Sequence, residues 1–371
     1  MIIPLIKSAL RGDGTMTRGR RIRRYTTFAI GLLLGVTLAA EIGLRVFLGF
    51  GNPPLFVTDE AIEYMMVPGR YSRFGNTITI NSAHMRATPE QFLQRTSPTE
   101  LRLLVLGDSV IQGGNQTDDA DLAVSMLRAW TPPNGPSGTN GTNEPSGSNG
   151  PKGPNGPGVP SVPSSISGPL TTLNISCNSW GPGNVLEFLK RFGTFEADVA
   201  ILVLNGWDYG DVRLWLPMSP ETPTTKPWCA LEEIRRNYGK RYAPLLFGKA
   251  NWGNPGYDEA NPPENYGQQS LRELAELVAL LRGRGIKVAA VYQPRRDEVE
   301  GTNTVIGASK IIATLEQLDV PVTPNNIALS AELVRRGDSN YDRFYRDQIH
   351  LSKLGHEVML ESLKEAYAAA K

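Results

Sequence analysis

The sequence predicts an α/β domain, a parallel sheet covered by helices on both faces, standing behind one membrane-spanning helix. Three observations predict it. Short, largely aliphatic runs recur at 101–106, 199–204 and 287–292, as strands buried on both faces do. Helical patterns lie between and after them, the alternation that builds parallel sheets. Near the start, Arg18, Arg20, Arg21, Arg23 and Arg24 precede an apolar stretch running to Phe50.

The N-terminal stretch, taken as a span over 27–50, is interrupted only by Glu41 and Arg45. About 20 apolar residues cross the hydrocarbon of a bilayer. The uncharged part, 25–40, is slightly short of that, but Glu41 and Arg45 stand at i, i+4 spacing, where they can pair near the far interface. Residues 1–26 carry seven Lys or Arg against Asp13, a net +6. By the positive-inside rule this tail stays in the cytoplasm and the rest of the chain lies outside, in the periplasm. A cleaved signal peptide ending near Thr37-Leu38-Ala39 is the alternative; either way the body is exported.

Residues 51–100 read as a connecting arm, polar with scattered Gly and Pro, in which 77–80 alternate as a short strand does. The domain proper then runs over 101–371. A strand at 101–106 ends in Gly107, and a helix is expected over 118–130, its Asp118, Asp119 and Asp121 favoured near the positive end of the dipole. Residues 131–169 are almost wholly Gly, Pro, Ser, Asn and Thr and cannot bury enough apolar surface to offset ordering, so a disordered insertion is expected. Structure should resume at Leu173, with a helix at 185–192 and a strand at 199–204. An aromatic-rich insertion at 208–263 holds Trp215, Trp228 and Trp252. A helix at 264–284, a strand at 287–292 and helices near 308–318, 327–336 and 352–370 complete the pattern. In such sheets ligands bind beyond the carboxyl ends of the strands. That is where Ser109, Asn205 and the residues after Tyr292 fall.

Composition excludes several classes of function. With 40% apolar and 20% charged residues the chain is globular. Its net charge is +1, so subtracting the tail leaves about −5 on the remainder, and no basic nucleic-acid surface is implied. Cys177 and Cys229 are too few for a disulfide framework, and three histidines offer no zinc spacing. No metal or cofactor is expected. The two cysteines could pair in an oxidising compartment or stay as separate thiols.

Two motifs carry chemistry. In Leu103-Leu104-Val105-Leu106-Gly107-Asp108-Ser109-Val110 a buried strand delivers a serine at a strand-to-helix turn, which exposes a hydroxyl among unpaired N–H groups. Asp and Ser are equally ordinary helix caps. The second motif, Asp347-Gln348-Ile349-His350, supplies within one turn the base that a serine nucleophile needs and the acid that orients it. The other histidines are His84, in the arm, and His356, in the last helix, where a packing or solvated role is expected.

Gly-Asp-Ser near the start of an α/β domain and Asp-x-x-His near its end resemble the SGNH (GDSL-like) hydrolases over residues 100–370. The resemblance implies a flavodoxin-like three-layer fold and a catalytic set of Ser109 as nucleophile, His350 as base and Asp347 as its partner. It implies an oxyanion hole formed by the Ser109 N–H, by Gly181 in Asn178-Ser179-Trp180-Gly181-Pro182-Gly183-Asn184, with Gly183 as the alternative, and by an Asn in a third block. That block departs from the family's Gly-x-Asn-Asp: Leu204-Asn205-Gly206-Trp207-Asp208 puts Trp207 where the Asn belongs, and Asn205, two residues earlier, is the candidate donor. The arm sequence Ile80-Asn81-Ser82-Ala83-His84-Met85-Arg86, behind a membrane helix, resembles exported SGNH proteins associated with surface polysaccharides, including relatives of alginate O-acetyltransferases. The expected activity is therefore that of a serine esterase or acyltransferase on short acyl esters, such as acetyl, of an extracytoplasmic glycan or a small ester, with tryptophans between 207 and 252 stacking on sugars or packing the insertion. The altered third block leaves open a catalytically weak or inactive, membrane-tethered glycan-binding protein.

Overall fold

The computed structural model describes residues 18–132, 170–215, 218, 222–237, 262–303 and 305–370. The expected insertion, from 133 onward, and Trp252 lie outside these. The chain divides into two compact units, Met1–Pro53 with Lys226–Ala250 and Pro54–Thr225 with Asn251–Lys371.

The first unit is built on the helix Arg18–Leu48, 31 residues with no buried side chain. Its apolar window has a mean hydropathy of 1.9, long and apolar enough to cross a membrane. A second helix, Ala230–Asn237, belongs to the same unit.

The second unit begins with two antiparallel hairpins, β1 (Phe56–Asp59) with β2 (Glu63–Met66), and β3 (Gly69–Arg73) with β4 (Asn76–Ile80). The central sheet follows. It comprises β5 (Leu101–Gly107), β6 (Leu170–Ser176), β7 (Val199–Leu204), β8 (Lys287–Tyr292) and β9 (Val322–Pro324). All pairings are parallel and the order is β6-β5-β7-β8-β9, the 2-1-3-4-5 order of flavodoxin-like folds. Among the described residues the α-helices of the unit are α1 (Ser109–Gln112), α2 (Ala123–Leu127), α3 (Pro182–Phe192), α4 (Glu264–Gly283), α5 (Arg296–Val299), α6 (Ile306–Gln317), α7 (Asn325–Arg336) and α8 (Lys353–Ala369).

Strand residues divide between the two faces with period two. Leu104, Leu106, Ala200, Leu202 and Leu204 join α3, α4 and α6 in one core, while Leu103, Val105, Val199, Ile201 and Val203 join α1, α2, α7 and α8 in the other. The layered α/β architecture expected from the sequence is what the chain adopts. The arm is built into the first of these cores through Ile62, Met65, Met66, Ile78, Ile80 and Met85.

The segment expected as one helix over 118–130 is instead a 3-10 turn, Asp119–Asp121, followed by α2. The acids explain the break. The Asp118 and Asp119 carboxylates accept the backbone N–H groups of Thr77 and Thr79, each at 2.7 Å, and so tie this segment to β4. Cys177 and Cys229 are free thiols; burial pushes Cys177 far above its ordinary range.

Candidate active site

The site lies at the carboxyl end of β5. Gly107 closes the strand because a Cβ there would come within 2.8 Å of the Val203 carbonyl oxygen. Asp108 is the N-cap of α1, one carboxylate oxygen accepting the Val110 N–H at 2.9 Å. Ser109 is the first residue of that helix, so its N–H has no acceptor within the helix. The helix is short and ends at Gly113, whose φ of +86° needs glycine.

The Asp347-x-x-His350 turn reaches the same point from the other end of the chain. An isolated bridge between Tyr345 and Leu351 closes its base. Asp347 Oδ1 accepts the N–H groups of Ile349 (3.0 Å) and His350 (2.9 Å), and Oδ2 lies 2.7 Å from His350 Nδ1. His350 Nε2 lies 2.9 Å from Ser109 Oγ. The structure thus brings together Ser109, His350 and Asp347 in one hydrogen-bonded line, half-exposed at its acidic end, where the Asp347 side chain is 54% accessible. Partial burial opposes ionisation of Asp347, but the bonds from the His350 ring and the two backbone N–H groups outweigh it and hold the carboxyl well below its usual range.

The other histidines are elsewhere. His84 Nδ1 lies 2.7 Å from the Met66 carbonyl oxygen, with the ring against Phe192. His356 is fully buried, and neither ring nitrogen has a hydrogen-bond partner among the described residues. Burial, then the positive charges of Arg346 and Arg86, push it down to about 3.

The remaining oxyanion candidates are differently placed. Gly181 caps α3 and its N–H donates to Asn184 Oδ1 at 3.0 Å. A Cβ on Gly181 would sit 1.9 Å from the Asp211 carbonyl oxygen, so packing alone requires glycine. Gly183, the alternative, packs against the Glu273 carboxylate. Asn205 is buried; its Nδ2 donates to Asp108 Oδ2 at 2.9 Å and its Oδ1 accepts the Trp207 N–H at 2.9 Å. A primary amide carries two N–H bonds, so one remains for another acceptor. Trp207 lies half-buried beneath the Arg295 guanidinium, 4.7 Å from the ring, with its indole N–H buried and unpartnered among the described residues.

Three residues that sequence reasoning missed organise the site. Asp108 and Asp208 are buried acids on either side of Asn205: Asp208 Oδ2 accepts the Asn205 N–H at 2.7 Å. Burial, with Asp108 and Asp211 nearby, pushes Asp208 well above the usual carboxylate range, and burial raises Asp108 as well. Arg346, the residue before Asp347, donates to Leu351 O (2.9 Å) and Gly113 O (3.0 Å), tying the histidine turn to the end of the serine helix. In the sequence Asp108 stands inside the first motif, Asp208 inside the third block and Arg346 beside the second motif, and those positions were the only signal for them.

Ser109, His350 and Asp347 thus stand within hydrogen-bond reach of one another at the carboxyl end of a flavodoxin-order sheet. No family model and no curated protein matches the chain. Among solved structures, a lipolytic protein of the G-D-S-L family from Veillonella parvula is similar at 11% identity and a TM-score of 0.37, with 72% of this chain and 98% of that one covered. The acetyl xylan esterase AlAXEase is similar at 10% identity and 0.39, over 72% and 99% of the two chains. A catalytic mutant of Axe2, an acetylxylan esterase from Geobacillus stearothermophilus, is similar at 10% and 0.36, over 72% and 93%. At these identities and scores the activity of this chain has to be read from its own residues.

Proposed function

We propose that this chain is a serine esterase of the SGNH (GDSL-like) type, acting on short acyl esters through an acyl-Ser109 intermediate. The observation that carries the reading is the line Asp347–His350–Ser109, with contacts of 2.7 and 2.9 Å. His350 Nε2 takes the Ser109 proton as Oγ attacks the ester carbonyl, and the imidazolium that forms is held by Asp347. Collapse of the tetrahedral species expels the alcohol, which takes that proton from His350. Water, activated by the same histidine, then releases the acid and frees Ser109. A sugar hydroxyl in place of water would make the same chain an acyltransferase.

The negative oxygen formed in each addition needs donors. The Ser109 N–H and the second amide N–H of Asn205 are suited to the task. Gly181 contributes only if the Asn184 carboxamide turns away, since its one N–H is engaged there.

The acyl group is proposed to be acetyl and its carrier an extracytoplasmic polysaccharide. Trp215 supports a sugar platform: it is 54% exposed, its backbone N–H donates to the Glu63 carboxylate at 2.9 Å, and Arg213 flanks the ring. The helix Arg18–Leu48 is read as a retained span, the arginines from Arg18 to Arg24 on the cytoplasmic side and the α/β unit in the periplasm.

Hydrolysis of p-nitrophenyl acetate and of an acetylated oligosaccharide, with free acetate and acetyl transfer followed together, tests the proposal. Acetate release by the wild type and none by Ser109→Ala is expected. Transfer exceeding release would overturn simple hydrolysis, and equal release by Ser109→Ala would overturn the whole assignment.

A further inference from the structure

The helix Ala230–Asn237 is held by the charged end of the N-terminal helix. Glu41 places its Oε1 2.8 Å from the Ala230 N–H and its Oε2 3.0 Å from the Leu231 N–H. Both carboxylate oxygens are thus spent on first-turn donors of an eight-residue helix, where a negative charge also meets the positive end of the dipole. Arg45 pairs with the same carboxylate at 2.5 Å. A return bond closes the unit: Glu233, 2% exposed, accepts the Gly51 N–H at 2.5 Å. Gly51 has φ +85°, which favours glycine, and a Cβ there would come within 3.1 Å of the Arg45 guanidinium and 3.3 Å of the Ala230 nitrogen.

The height of this junction follows from helix geometry. From Arg24 to Glu41 the chain rises about 1.5 Å per residue, roughly 25 Å in all, close to the thickness of a hydrocarbon core. Glu41 therefore marks the far interface of a membrane that the helix crosses, and the start of Ala230–Asn237 lies at that level. Two residues before it stands Trp228, 80% exposed, the most exposed tryptophan among the described residues. Lys226 is exposed beside it, and the Arg235 and Arg236 side chains are 76% and 40% exposed. An indole with neighbouring cations is the composition that settles at lipid headgroups.

We infer that residues 226–237 form a second membrane contact, in which Trp228 inserts at headgroup level on the far side and the basic residues meet anionic lipid. The inference rests on the reading of Arg18–Leu48 as a span. Its consequence is topological. The contact is made by a segment inserted between β7 and α4, so the chain of the α/β unit returns to the bilayer after the arm has left it.

The full-length protein, reconstituted in vesicles of phosphatidylcholine and phosphatidylglycerol, tests this. Flotation with the vesicles, resistant to alkaline carbonate, is expected; release by carbonate would overturn the span and the inference with it. In floated protein, lipids brominated high on the acyl chain should quench wild-type tryptophan emission more than that of Trp228→Phe. Equal fractional quenching of the two would overturn the interfacial contact while leaving the span intact. In Glu41→Ala, hydrogen exchange at Ala230 and Leu231 should accelerate at least tenfold with the α/β unit unchanged, and unaltered exchange would overturn the capping that places Trp228.

Discussion

Replacing Asp347 by Asn tests the relay through the geometry of a single side chain. In the wild type Oδ1 receives two backbone N–H groups, at 3.0 and 2.9 Å, and Oδ2 faces His350 Nδ1 at 2.7 Å. An Asn in the same rotamer has one oxygen to place. If the oxygen keeps the two backbone donors, the amide N–H points at Nδ1, which must accept; the ring proton then resides on Nε2, facing Ser109 Oγ at 2.9 Å. The base has become a donor. If the amide flips, His350 keeps its tautomer but two N–H groups confront an NH2, at a cost of about 1–3 kcal/mol for each unsatisfied donor. The wrong tautomer therefore wins, and kcat should fall on the order of 10³ to 10⁴, about 4 to 5.5 kcal/mol in barrier. Asp347→Ala presents no amide and lets water reach Nδ1, so it should retain more activity than Asp347→Asn. Because Asp347 is held well below its usual range, its carboxyl stays ionised across pH 6 to 9, and the comparison belongs in that window. Steady-state rates on p-nitrophenyl acetate give the answer. A loss under tenfold, or Asp347→Asn outperforming Asp347→Ala, would refute the reasoning.

Other residues give independent outcomes. His356 is kept neutral, its pKa pushed from 6.5 to about 3; the unfolded chain binds the extra proton, so the stability His356 supports is complete above pH 6.5 and lost as pH falls toward 3. The unfolding free energy of the wild type, from denaturant titrations, should drop over that window by on the order of a few kcal/mol, and that of His356→Asn should drop less. Arg346→Ala cuts the tie between Gly113 and Leu351. It should lower kcat by roughly 10- to 100-fold with little change in KM, since small misplacement of a base costs that much. Gly181→Ala forces a methyl against the Asp211 carbonyl and should destabilise the fold by about 1–3 kcal/mol, seen as a lower melting temperature even without substrate.

The central strands were legible because strands buried on both faces are written as plain aliphatic runs. Strand β7 and strand β8 have the bounds that pattern gave, 199–204 and 287–292. Strand β9, three residues long, is too short to show any period. The broken helix after Ser109 was not legible because Asp118 and Asp119 bind strand β4, some 40 residues away, and local pattern sees only the dipole. The same division runs through the site. Ser109, His350 and Asp347 could be singled out from residue type and spacing. What Gly181 and Asn205 do with their N–H groups depends on Asn184 and Asp108, and the second of these partnerships spans 97 residues. A sequence names donors; the neighbours that occupy them are a tertiary fact.

The most direct test of the account is covalent. A fluorophosphonate should label the wild-type chain, and mass spectrometry should place the adduct on Ser109, with labelling abolished in Ser109→Ala and slowed at least a hundredfold in His350→Ala. An intact wild-type chain that never labels, or an adduct that persists in Ser109→Ala, would contradict it.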